Sequence, residues 1–206
     1  MHFSLLGFPV VVEAWFWLTA VLIGGGFGAR DADDWAGVGI RVITIFLSIL
    51  FHELGHALAG RRFGALPEIR LHAFGGLAIM HGTRFTRGQD ILVTAAGPAA
   101  SLLLGFVALA AVFLLPAPSR GLQEFLAFAL WVNFGWTVLN LLPVQPLDGG
   151  FLLRGLLGPS RLRLTAWVSC VTAVLMAAAA LNFRLWFIAV LFGFLAWQNY
   201  PNRPPA

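Results

Sequence analysis

The stretch FHELGHALAG, Phe51 to Gly60, sets two histidines and a glutamate inside an apolar run extending from Val38 to Gly60. On a helix, residues four apart share a face. His52 and His56 can therefore offer imidazole nitrogens to one zinc ion, while Glu53 lies close enough to act on water at that ion. A single histidine in such a run reads most simply as a packed core residue, but here three polar groups must be explained together. Ionisable groups in hydrocarbon are costly, about 2.5–3.5 kcal/mol for a charged Asp at a helix centre on insertion scales, and they mark sites or pathways. The run is expected to be a membrane helix carrying a metal site.

The rest of the chain supports a membrane setting. Of its 206 residues 59% are hydrophobic and 11% charged, against about 45–50% apolar and 25% charged in soluble domains. Six apolar segments are expected as helices: Phe8 to Gly28, Val38 to Gly60, Ile91 to Leu115, Leu122 to Leu142, Thr165 to Leu181 and Leu185 to Trp197. Two polar connections, Arg61 to Asp90 and Pro143 to Leu164, carry half of the charged residues. No soluble domain follows the first apolar stretch, so it is expected to be retained rather than cleaved as a signal. These features predict an all-α polytopic membrane protein of about six transmembrane helices. It forms a single domain over residues 1–206, with its core at about 38–150.

All thirteen basic residues are arginine, and they flank apolar runs as orientation signals do rather than clustering with aromatics. No nucleic-acid partner is expected; the lipid bilayer is. Arg61, Arg62, Arg70, Arg84, Arg87, Arg154, Arg161, Arg163 and Arg203 fall on the side of the N-terminus, and Arg30, Arg41, Arg120 and Arg184 fall opposite. Nine against four places both termini in the cytoplasm. Asp31, Asp33 and Asp34 then lie in the first outward loop and read as solvation. The arginine-only, alanine-rich composition points to a bacterial inner membrane. Cys170, the only cysteine, reads as a packing residue.

Catalytic zinc keeps three protein ligands and an open position, so a third donor is needed. Asp148 is the candidate. The stretch NLLPVQPLDGG from Asn140 to Gly150 contains two prolines that forbid regular helix and two glycines that permit sharp turns, letting Asp148 fold back toward the bundle. Alone it would read as an ordinary turn aspartate. His2, His72 and His81 read as exposed, and Glu13 and Glu124 as reaching the interface.

FHELGHALAG in one helix together with NLLPVQPLDGG after another resembles the site-2 protease family of intramembrane metalloproteases. The likeness extends to Gly97, Pro98, Ala99, Ala100 and Ser101 and to AFGGLAIM from Ala73 to Met80. It implies His52, His56 and Asp148 as ligands of one zinc ion, Glu53 as general base and proton shuttle, and Asn140 as a substrate or oxyanion contact. It also implies a short membrane-associated β segment between the second and third helices, where Gly75 and Gly76 would meet an unwound substrate strand. Partial alternation at Leu71, Ala73, Leu77 and Ile79 agrees, although a plain flexible loop is an equal reading. Gly97 reads as a helix-packing glycine. Larger relatives carry PDZ or CBS domains; a minimal form with neither is expected. The implied function is hydrolysis of peptide bonds within or next to transmembrane segments. The rival is a zinc transporter or a non-catalytic metal-binding membrane protein.

Overall fold

The computed structural model describes residues 1–201; Arg203, counted above toward orientation, lies outside them. The chain opens with strands β1 (His2–Leu5) and β2 (Phe8–Val12), then α1 (Ala14–Ile23) and α2 (Ala32–Arg62). The β3–β4 hairpin (Leu66–His72 and Gly75–His81) leads to α3 (Arg87–Leu114). Next come α4 (Arg120–Leu130), a π-helical turn (Trp131–Gly135), α5 (Trp136–Asn140), α6 (Asp148–Leu157), α7 (Leu162–Asn182) and α8 (Trp186–Gln198).

The β segment between the second and third helices is present, but the sheet is larger than expected. Four strands lie in the order β1-β2-β3-β4, with β2 and β3 parallel and the other two pairings antiparallel. The expectation that Phe8 to Gly28 forms one helix is corrected: its first five residues are β2, and the helix is confined to Ala14–Ile23. Leu5 pairs with Phe8 across a two-residue turn whose Leu6 and Gly7 both have positive φ, 51° and 81°, as a tight hairpin turn demands. Phe8, Val10 and Val12 are buried in alternation and pack with Ile49, Leu50, Ile69 and Leu71. Arg61 lies over the Phe8 ring at 4.4 Å and donates to the Leu6 carbonyl at 2.9 Å.

Four helical stretches are long and apolar enough to cross a membrane: Ala32–Arg62, Arg87–Leu114, Arg120–Asn140 and Pro159–Asn182. Ala14–Ile23 and Trp186–Gln198 are shorter; at 1.5 Å per residue the first spans about 15 Å, half of a hydrocarbon core of about 30 Å. The protein is integral to the membrane, with four such helices among the described residues where six were expected.

The acidic cluster before α2 does more than solvate. Asp31 caps the helix by accepting from the Asp34 amide at 2.9 Å, Asp33 and Asp34 occupy the first turn, and Arg61 and Arg62 the last, all complementing the helix dipole. Glu124 is paired rather than merely interfacial: Arg41 donates to it at 2.9 Å and to the Gly24 carbonyl at 2.6 Å, fastening α2 to α4 and to the end of α1. On the sheet, the Arg70 guanidinium 2.9 Å from Glu68 holds that carboxyl below its usual range. Asp148, expected in a non-helical connection, instead begins α6.

The chain divides into two compact units. One comprises Met1–Phe85 and Ala95–Thr137; the other comprises Thr86–Thr94 with the chain from Val138 onward.

Candidate metal centre

In the first unit, Thr44, Ser48, His52 and His56 follow one another at intervals of four on α2, and all are buried. Glu53 is buried beside them at 5% exposure. The two imidazoles meet edge to face, with centroids 4.8 Å apart, and their Nε2 atoms face each other at 3.1 Å. Two nitrogens bound at about 2.05 Å to a tetrahedral ion would stand about 3.3 Å apart, so the pair suits shared ligation.

Small residues bring α3 against this face. A Cβ on Gly55 would overlap the Ala96 carbonyl oxygen and stand 2.8 Å from the Ala100 Cβ, so only glycine lets the two backbones approach this closely. Ser101 places its Oγ 2.9 Å from His52 Nδ1. One turn earlier on α3, Gly97 faces the His56 ring, and a Cβ there would collide with Nε2, Cε1 and Cδ2. Gly97 therefore makes room for the imidazole itself, a more specific task than general packing.

The sheet closes on Glu53. A Cβ on Gly76 would collide with the Glu53 side chain, carboxylate included. Gly75 has φ +128°, a conformation suited to glycine, and its missing Cβ would lie 3.3 Å from Trp136. The π-helical turn buries Asn133 completely; its Nδ2 donates to Ser48 Oγ and to the Ala129 carbonyl, each at 2.9 Å. Sequence reasoning missed Ser48 and Asn133, and it named Ser101 only within the family likeness, with no role of its own.

In the second unit, Asn140 ends α5 half-buried. The chain then turns tightly: Val144 N–H donates to the Leu142 carbonyl at 2.7 Å and Leu147 N–H to the Val144 carbonyl at 2.8 Å. A Cβ on Gly149 would overlap the Leu141 and Leu142 carbonyls, and one on Gly150 would come within 2.5 Å of the Gln145 nitrogen. Both glycines are thus needed for Asp148 to start α6. There its carboxylate sits in the first turn, where the helix dipole favours negative charge. At the other end of α6, Arg87 donates to the Gly155 and Leu156 carbonyls, each at 2.6 Å, closing the helix as a basic cap.

Among the described residues, His52 and His56 offer two ligand nitrogens from one face of α2 in the first unit, and Asp148 offers a carboxylate at the start of α6 in the second. His72 Nδ1 instead accepts from the Phe74 amide at 3.3 Å, and exposed His81 lies 3.7 Å from Glu68. Two histidines and one carboxylate suit a catalytic rather than a closed structural zinc site.

Comparison with known proteins defines the class and then the family. The fold is that of the site-2 protease from Methanocaldococcus jannaschii, with a TM-score of 0.68 over 100% of this chain and 97% of that one, at 22% identity. Residues 35–145, more than half of the chain, match the Peptidase M50B-like family, and residues 115–181 match Peptidase family M50. A zinc metalloprotease of Methanocaldococcus jannaschii is 29% identical over 75% of this chain and 44% of its own length. Rip2 of Mycolicibacterium smegmatis is 30% identical over 87% of this chain and 85% of its own. The chain belongs to the M50 peptidase family. It spans less than half the length of some curated relatives, 44% of the Methanocaldococcus metalloprotease and 42% of one from Synechocystis.

Proposed function

We propose that this chain is an intramembrane zinc metalloprotease that hydrolyses peptide bonds within or next to transmembrane segments, working as one metalloprotease domain. The observation that carries the reading is a buried Glu53 beside two imidazoles whose Nε2 atoms converge at 3.1 Å. His52, His56 and Asp148 hold the ion. A bound zinc supplies Lewis acidity, polarising a carbonyl and acidifying water. Glu53 takes a proton on its carboxylate and returns it to the leaving amine.

The substrate is a transmembrane protein or peptide. A helix hides its carbonyls in its own hydrogen bonds, so the scissile stretch must unwind before attack. β4 is an edge strand of the sheet and its Gly76 adjoins Glu53; an extended substrate pairing there would present its backbone to the base. Gly75 and Gly76 serve this approach and Asn140 holds the exposed backbone. The assay is cleavage of a model transmembrane substrate by purified protein in vesicles, with zinc flux followed in parallel. Cleavage is expected. Zinc flux without cleavage would instead make the chain a transporter, a reading that its metalloprotease relatives do not favour.

The proposed setting is a bacterial inner membrane with both termini cytoplasmic. Pairing of β2 with β3 supports this, because it puts the N-terminal segment on the same membrane side as the arginine-rich end of α2. A reporter fused after Pro116 should behave as non-cytoplasmic; a cytoplasmic signal there would reverse the orientation.

A further inference from the structure

A neutral histidine that ligates through Nε2 must carry its proton on Nδ1. A free imidazole side chain prefers the other arrangement, so a helix presenting His52 to a metal gains affinity if something holds the proton in place. That tautomer is set by the hydrogen bond the second nitrogen makes.

We infer that Ser101 is a positioning residue for His52, its hydroxyl accepting a hydrogen bond from Nδ1–H and so fixing both tautomer and ring orientation, with Nε2 as the ligating nitrogen. The inference rests on the zinc reading above. The two atoms are 2.9 Å apart, Ser101 is 2% exposed and His52 is 3% exposed, so water does not compete for either group. The Nε2 of the same ring faces His56 Nε2, and Nδ1 is the nitrogen that faces α3. A residue as short as serine can reach only because Gly55 lets α3 approach within backbone contact. Gly97 and Ser101 lie four apart on α3 and face His56 and His52, themselves four apart on α2. One α3 face thus orders both imidazoles, by clearance at one and by a hydrogen bond at the other. Outer partners of this kind are worth about 10–100-fold in metal affinity.

The test is zinc affinity of the detergent-purified full chain by chelator competition, with the cobalt-substituted absorption spectrum as a second readout. Ser101→Ala, Ser101→Thr and Ser101→Val are compared. Thr keeps the hydroxyl and Val has nearly the same shape without it, so their difference isolates the hydrogen bond from packing even if the alanine variant is unstable. Affinity is expected to fall about 10–100-fold in the alanine and valine variants and to stay within about threefold of wild type in the threonine variant. The cobalt spectrum should change only where the hydroxyl is lost. Wild-type affinity in the valine variant, or equal weakening in threonine and valine, would overturn the inference while leaving the zinc site standing. A wild-type protein that binds no zinc would overturn the zinc reading itself, and the inference with it.

Discussion

Gly97→Ala should abolish stoichiometric zinc binding while leaving most of the bundle folded. The added methyl would occupy the space of the His56 ring, colliding with Nε2, Cε1 and Cδ2. His56 is buried at 8% exposure and its neighbour His52 is held from α3 by Ser101, so the ring cannot swing aside and still converge on the ion. Overpacking of this kind typically costs about 1–3 kcal/mol, which a folded domain can absorb. The ligand geometry cannot absorb it. Zinc affinity should fall by at least about 100-fold, some 2.8 kcal/mol at about 1.4 kcal/mol per decade. The measurement is metal content after gel filtration beside a thermal melt of the metal-free protein. Wild-type zinc content in this variant would show that His56 does not ligate in the orientation described.

Gly76→Ala should do the reverse, keeping zinc and losing turnover. The new Cβ would collide with Glu53 at Cγ and at the carboxylate alike, so the side chain must rotate from its upper bonds and carry the carboxylate away from its position. His52 and His56 are untouched by that shift. Displacing a general base by even about 1 Å costs on the order of 100-fold in rate, so cleavage should drop by about that factor with zinc content unchanged. Loss of both would mean that β4 supports the metal ligands rather than the base. The two glycine variants together separate ligation from proton transfer without changing any ionisable group.

The site was legible in the sequence where chemistry and spacing coincide. His52, Glu53 and His56 stand out as candidates because three ionisable groups sit in an apolar run, and Asp148, alone an ordinary turn aspartate, becomes one only through its pairing with them. The β3–β4 hairpin was foreseen through its paired glycines and family likeness. The β1–β2 hairpin was not, because Phe8–Val12 is continuously apolar and runs on toward the apolar α1, which hides a strand's alternation inside a helix-like stretch. Asp148 at the start of α6 was obscured for the opposite reason: the prolines end before it, and its two glycines serve close packing rather than an extended loop. Ser101 stood out only as part of the likeness at Gly97 to Ser101, with nothing local to assign it a role. Its partner is 49 positions away, and a lone serine in a small-residue helix face looks like packing until the fold brings α3 to α2.

The most direct measurement is zinc content and cleavage of the same transmembrane substrate by wild type, Glu53→Gln and Asp148→Ala, purified side by side. The account predicts one zinc per chain and cleavage in wild type. It predicts retained zinc with cleavage reduced at least about 100-fold in Glu53→Gln, and weakened zinc binding in Asp148→Ala. Cleavage that survives Glu53→Gln, or zinc held equally well without Asp148, would contradict it.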